Sequence, residues 1–157
     1  MPAMNWKRIL CPVDLTQTCS ECVRVASALA RECGAELVFF YVAVPELPAS
    51  SGAAIPEVNQ AIERERQALK QITPTSSGVL HRHELVRGQP APSIVHYALQ
   101  NQVDLIVMPT HGRTGFSRLL LGSVAEEVLR HAPCPVLAIR ATAPQAEPVA
   151  TPQLAVT

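Results

Sequence analysis

The feature that most constrains this chain is an alternation. Short apolar runs of strand length at 8–14, 36–44, 79–86, 105–108 and 135–139 are separated each time by a longer stretch with helical periodicity. Runs of that length, bounded by Gly and Pro, read as buried strands. A strand, helix, strand order repeated along a chain gives a parallel sheet, because each crossover is right-handed and lays its helix on one sheet face. The expected class is therefore α/β, with an open five-stranded parallel sheet and helices on both faces.

The helical stretches support this reading. Cys22, Val25, Ala26, Leu29, Ala30 and Cys33 follow the i, i+3, i+4 spacing of one apolar face, and Gly34 ends that helix. Thr16 or Thr18 is the expected cap, with Glu21 in the first turn. Residues 45–56 form a Pro/Ala/Ser/Gly-rich loop. Val58, Ile62, Leu69 and Ile72 then mark a second helix with a charged outer face, broken at 73–78. Pro90 and Pro92 open a third helix that turns Ile94, Val95, Ala98 and Leu99 inward. A fourth helix runs over 123–131. The 79–86 strand alternates with polar residues, so it belongs at a sheet edge with His81 and His83 exposed. Residues 1–140 form the domain, and 141–157, rich in Ala and Pro, read as a flexible tail.

Composition excludes several function classes. Thirteen basic and thirteen acidic side chains cancel over 157 residues, and only Lys7 and Lys70 are lysines. No global field draws nucleic acid or anionic lipid to such a chain. The apolar runs are too short to span a bilayer. Residues 1–7 lack the apolar segment of a signal peptide, so the reading is cytoplasmic, with the five cysteines reduced.

In open parallel sheets, ligands bind beyond the strand carboxyl ends, where the strand order reverses. That rule selects Asp14, Val42 and the segment leaving Met108. The sequence there is Met108-Pro109-Thr110-His111-Gly112-Arg113-Thr114-Gly115, and Gly122-Ser123 later opens the fourth helix. Glycines allow close backbone approach, and N–H groups at a helix start favour phosphate. Ser123 adds a hydroxyl and Arg113 a charged fork. A glycine turn followed by an ordinary helix cap is the alternative, and spacing alone leaves both open.

His111-Gly112-Arg113-Thr114-Gly115, Leu120-Leu121-Gly122-Ser123-Val124-Ala125-Glu126 and His131-Ala132-Pro133-Cys134-Pro135-Val136-Leu137 together resemble the universal stress protein family. Ile9-Leu10-Cys11-Pro12-Val13-Asp14 looks like that family's first strand, and the resemblance covers residues 7–140. It implies a Rossmann-like sheet, related to the adenine nucleotide α-hydrolases, in the order 3-2-1-4-5. It also implies a homodimer, often paired through the last strand, and a regulatory part in stress response.

One branch of the family binds ATP. Its signature is a glycine after the fourth strand, two residues, a glycine, nine residues, then Gly-Ser or Gly-Thr. Gly112 and Gly122-Ser123 match that signature, whereas Pro109 stands at the first glycine. Asp14 matches the acidic residue near the adenosine, and Val42 the backbone position that reads adenine. The implied nucleotide-binding set is Pro12, Val13, Asp14, Val42, Met108, Pro109, Gly112, Arg113, Gly122, Ser123 and Val124.

Proline removes an N–H and fixes φ, so Pro109 is expected to weaken ATP binding by about 1 kcal/mol if one hydrogen bond is lost. With no lysine to neutralise the β- and γ-phosphates, Mg²⁺ is the expected companion of ATP. The alternative is a dimeric interaction module of the same fold that has lost its nucleotide.

Other chemistries find less support. Cys19-Ser20-Glu21-Cys22 has C-x-x-C spacing, but Cys22 lies on the apolar stripe, which favours packing. His81 and His83 lack a carboxylate at ligand spacing, so no metal is expected. His131 ends the fourth helix, where a cation suits the dipole. Ser123, His111 and Asp14 lack the Gly-x-Ser-x-Gly elbow of a hydrolase. There is no phosphate-loop lysine and no dedicated general base, so slow ATP hydrolysis is the most the chain would catalyse.

Overall fold

Five strands form a single parallel sheet in the order β3-β2-β1-β4-β5 in this computed structural model, which describes residues 4–15, 19–45, 55–110 and 121–140. The strands are β1 (Arg8–Pro12), β2 (Glu36–Ala43), β3 (His81–Arg87), β4 (Leu105–Pro109) and β5 (Val136–Ile139). They alternate with α1 (Ser20–Cys33), α2 (Ile55–Lys70), α3 (Pro90–Gln100) and α4 (Ser123–His131). All four strand pairings are parallel.

The period of two along each strand divides the core into two layers. Ile9, Cys11, Leu37, Phe39, Leu105 and Val107 pack on one face with Cys22, Ala26 and Ala30 of α1 and Leu69 of α2. Leu10, Val38, Phe40, Ile106 and Met108 pack on the other with Ile94 and Ala98 of α3 and Ala125 and Val128 of α4. Central strands covered on both sides explain the near-continuous apolar runs of β1, β2 and β4. Buried Ser27 ties α1 to the connection after α2. Its hydroxyl donates to Val23 O at 2.6 Å and accepts from Thr75 N–H at 3.1 Å.

Four local expectations are corrected. Cys19, not Thr16 or Thr18, is the N-cap of α1, with its side chain accepting from Cys22 N–H; both threonines lie outside the described residues. The α1 face is rotated so that Val23 and Ser27 are buried while Val25 and Leu29 are partly buried against the same layer. Leu99 is 64% exposed, since Ile94 and Ala98 already fill the sheet-facing stripe of α3.

The fourth correction concerns β3. It is an edge strand and His81 is exposed, but His83 is half-buried. The His83 ring stacks on Phe39 at 5.6 Å and lies 2.7 Å from Ile72 O.

At the amino edge of the sheet, polar groups are tightly paired. Asp104 accepts the N–H groups of Lys7 and Arg8 at 2.7 and 2.9 Å. Glu36 meets Arg8 at 2.9 Å and Arg82 at 3.4 Å, and Arg82 also donates to the Tyr97 hydroxyl.

Candidate functional site

The chain winds outward from β1 to β3 and then returns to β4 and β5, so the strand order reverses between β1 and β4. Backbone hydrogen bonds show what opens the sheet there. Glu36 N–H donates to Lys7 O and Val13 N–H to Phe40 O, both at 2.9 Å. Odd-numbered residues of β1 therefore direct their backbone groups at β2, and even-numbered ones at β4.

On β4, Ile106 N–H donates to Pro135 O at 3.0 Å and Thr110 N–H to Ile139 O at 2.9 Å. Its odd-numbered residues therefore face β1. Pro12 and Pro109 each lack a donor on the side that faces the other strand. The β1–β4 register covers Ile9↔Leu105 and Leu10↔Ile106, although β1 continues to Pro12 and β4 to Pro109. Two prolines at adjacent strand ends leave the ladder without donors at these positions, and this is where the β1–β4 register stops.

Beyond β4 the chain reaches Thr110, which is buried. Its carbonyl accepts Gly122 N–H at 2.6 Å, clamping the end of β4 to the start of α4. Gly122 is the N-cap of α4, at φ −74° and ψ 160°, with no side chain to close the helix end. Glu126 N–H donates to Gly122 O at 2.9 Å as the first intrahelical bond. The N–H groups of Ser123, Val124 and Ala125 thus have no partner within the helix, and the positive end of the helix dipole lies with them. An uncapped helix start at a strand-order reversal is an anion-binding arrangement.

The expected site residues distribute as follows. Pro12 ends β1, and half-buried Val13 and Asp14 follow it at the crevice mouth. Val42 lies near the end of β2, paired with Val86, and packs with the α3 and α4 layer. Met108 is 3% exposed and belongs to the core, so its backbone is what it offers a ligand. Pro109 ends β4; its proline removes a donor that would face β1. Ser123 is exposed and Val124 half-buried at the α4 start. Gly112 and Arg113, with His111, lie outside the described residues.

The fold thus brings the ends of β1 and β4 to the start of α4. The Thr110 clamp and the facing prolines were not evident from the sequence, because both depend on register. Among the described residues, no group of three or more His, Cys, Asp or Glu is placed to hold a metal ion.

A doubly wound α/β sheet with an uncapped glycine helix start at its reversal point is the architecture of a nucleotide-binding fold. The family model described as the universal stress protein family matches residues 5–140. A universal stress protein from Methanocaldococcus jannaschii is 37% identical over 142 residues, spanning 86% of this chain and 82% of that protein.

Among solved structures, universal stress protein UspA from Lactobacillus plantarum is 30% identical with a TM-score of 0.66, over 87% of this chain and 99% of that one. Two further chains share the fold. A universal stress protein from Archaeoglobus fulgidus in complex with dAMP is 24% identical with a TM-score of 0.56, over 86% of this chain and 98% of that one. A universal stress protein in complex with cAMP is 21% identical with a TM-score of 0.60, over 88% and 99%. This chain belongs to the universal stress protein family.

Proposed function

We propose that this chain is a regulatory protein that binds ATP with Mg²⁺ at the carboxyl edge of its sheet and works as a homodimer in a stress response. The observation that carries the reading is Gly122, which leaves the start of α4 without a side-chain cap beside the β1–β4 gap. In this arrangement the phosphates lie against the first-turn N–H groups at Ser123 and Val124, and Gly112 and Arg113 belong to the same proposed binding set. The adenosine lies beside Asp14, and the backbone at Val42 reads the base. Pro12, Val13, Met108 and Pro109 supply the backbone walls.

That proteins of the same fold were solved in complex with dAMP and with cAMP supports a nucleotide as the class of ligand. The competing reading, an interaction module without a ligand, rested on Pro109. The donor that Pro109 removes faces β1, so its loss falls on sheet pairing. Lys7 precedes β1 and Lys70 ends α2, so neither is part of the crevice, and a divalent cation suits the phosphate charge. Dimerisation through β5 follows from an edge strand whose Leu137 is 37% exposed.

Calorimetry with Mg²⁺ and ATP tests the proposal on the wild type and on Gly122→Val. The extended backbone at position 122 accepts any residue, so the variant should fold while blocking phosphate approach. Wild-type uptake that Gly122→Val abolishes supports the reading. No uptake by the wild type refutes it, and equal uptake by both places the nucleotide elsewhere. Sedimentation that finds only monomer would overturn the dimer.

A further inference from the structure

Three thiols converge where α1 meets the end of β1. Cys19 is the N-cap of α1, at φ −72° and ψ 95°, and its Sγ accepts Cys22 N–H at 3.4 Å. Cys22, one turn into the helix, is 1% exposed. Cys11 lies beneath them in β1 with no exposure, and burial pushes its thiol up to about 12. Burial also pushes the Cys22 thiol up. Packing accounts for Cys11 and Cys22. Cys19 also packs against this core but is partly exposed, at a cap position where Ser, Thr, Asp or Asn is the usual residue.

We propose that Cys19 and Cys22 form a reversible dithiol site that a low-molecular-weight disulfide oxidises to an intrachain disulfide. The Cys19 sulfur already lies 3.4 Å from the backbone nitrogen of Cys22, and the three-residue spacing across a helix start lies within the reach of a disulfide. The Cys22 N–H at the start of α1 points at the Cys19 sulfur and holds it in place at the helix end. Cys19 is also the member of the pair that an oxidant can reach.

In the first step, the Cys19 thiolate attacks one sulfur of RSSR. That S–S bond breaks, RS⁻ leaves, and Cys19 becomes a mixed disulfide. In the second, the Cys22 thiol passes its proton to the departing RS⁻ or to water and attacks Cys19 Sγ, expelling the second RS⁻. The two cysteines lose two electrons and two protons, and the oxidant becomes two RSH. Cys11, buried below the pair, takes no part.

The test is a titration of the full, reduced chain with glutathione disulfide, followed by alkylation and mass spectrometry of the intact and cleaved protein. The wild type should lose two alkylatable thiols without retaining glutathione. Cleavage at Arg8 and Arg24 places Cys11, Cys19 and Cys22 on one peptide, so variants assign the pair. Cys11→Ala should still lose two thiols, Cys19→Ser should lose none, and Cys22→Ala should hold one glutathione on Cys19. Retention of all five thiols where a small dithiol control is oxidised would overturn the proposal, as would pairing that survives in Cys19→Ser or a Cys22→Ala protein without an adduct. If Cys22→Ala fails to fold, the contrast between Cys19→Ser and Cys11→Ala decides the matter, because Cys19 is partly exposed.

Discussion

A carboxylate placed at position 122 should stabilise the protein and destroy its anion site in the same step. Gly122 holds the extended φ and ψ of an N-cap but has nothing with which to cap. Asp in that conformation accepts the N–H of the first turn of α4 and sets a negative charge at the positive helix end. Replacing Gly by Asp at an N-cap is worth a few tenths of a kcal/mol, and the dipole interaction adds about 0.3–1 kcal/mol, so Gly122→Asp should gain roughly 0.5–1 kcal/mol.

The same side chain occupies the donors that a phosphate needs and repels its charge. Loss of a charged hydrogen bond of about 1.5–3 kcal/mol lowers ATP affinity roughly ten- to a hundredfold. Urea denaturation without nucleotide reads the first effect, and calorimetry with Mg²⁺ and ATP reads the second. Substitutions that harm a site usually harm the fold or leave it alone, so opposite signs are diagnostic. A destabilised Gly122→Asp protein would show that the start of α4 is closed by something else. A stabilised one with undiminished affinity would show that phosphate does not bind there.

Three further outcomes follow from other parts of the molecule. Burial raises the Cys11 thiol from its ordinary 9.0 to about 12, so its contribution to stability is present below pH 9 and lost as pH rises toward 12; by pH 10 it should have fallen by about 1 kcal/mol, and Cys11→Ala should flatten the alkaline stability profile. Glu36→Ala leaves Arg8 and Arg82 without their shared carboxylate, which should cost about 1–2 kcal/mol in urea denaturation and leave nucleotide uptake unchanged, because the pair lies at the amino edge. Pro109→Gly restores an N–H that faces β1, so ATP affinity should change less than about threefold in calorimetry; a tenfold gain would mean that this N–H reaches the nucleotide instead.

The layout of the sheet was legible in the sequence wherever burial on both faces writes a continuous apolar run, as in Leu37, Val38, Phe39 and Phe40. The start of α4 was equally legible, since Gly122-Ser123 is a local signal. Less visible were features set by a partner strand. Pro12 and Pro109 stand 97 positions apart, and only the alternation of donors in β1 and β4 reveals that they face the same gap. Cys19 was hidden for a different reason. Cap preferences point to hydroxyls, and two threonines stood close by, so a sulfur in that position had no sequence signal. Leu99 misled because helical periodicity gives an apolar stripe but not its width, and the stripe of α3 ends at Ile94 and Ala98.

The two edges of this sheet are finished in opposite ways, and the difference has a physical reason. At the amino edge, Asp104 accepts two backbone N–H groups from the start of β1, while Glu36 joins Arg8 to Arg82 across three strands. These contacts hold the strands in register where β1 and β4 are paired, at Ile9↔Leu105 and Leu10↔Ile106. At the carboxyl edge the residues lack something: Pro12 and Pro109 lack donors, and Gly122 lacks a side chain. Buried or half-buried helix-start donors without partners are costly unless water or a ligand meets them. Such an edge is tolerable only because the other end fixes the strands independently of it. The anion site proposed at the carboxyl edge rests on helix-start N–H groups without a partner in α4, and the pairing that secures the amino edge is independent of them.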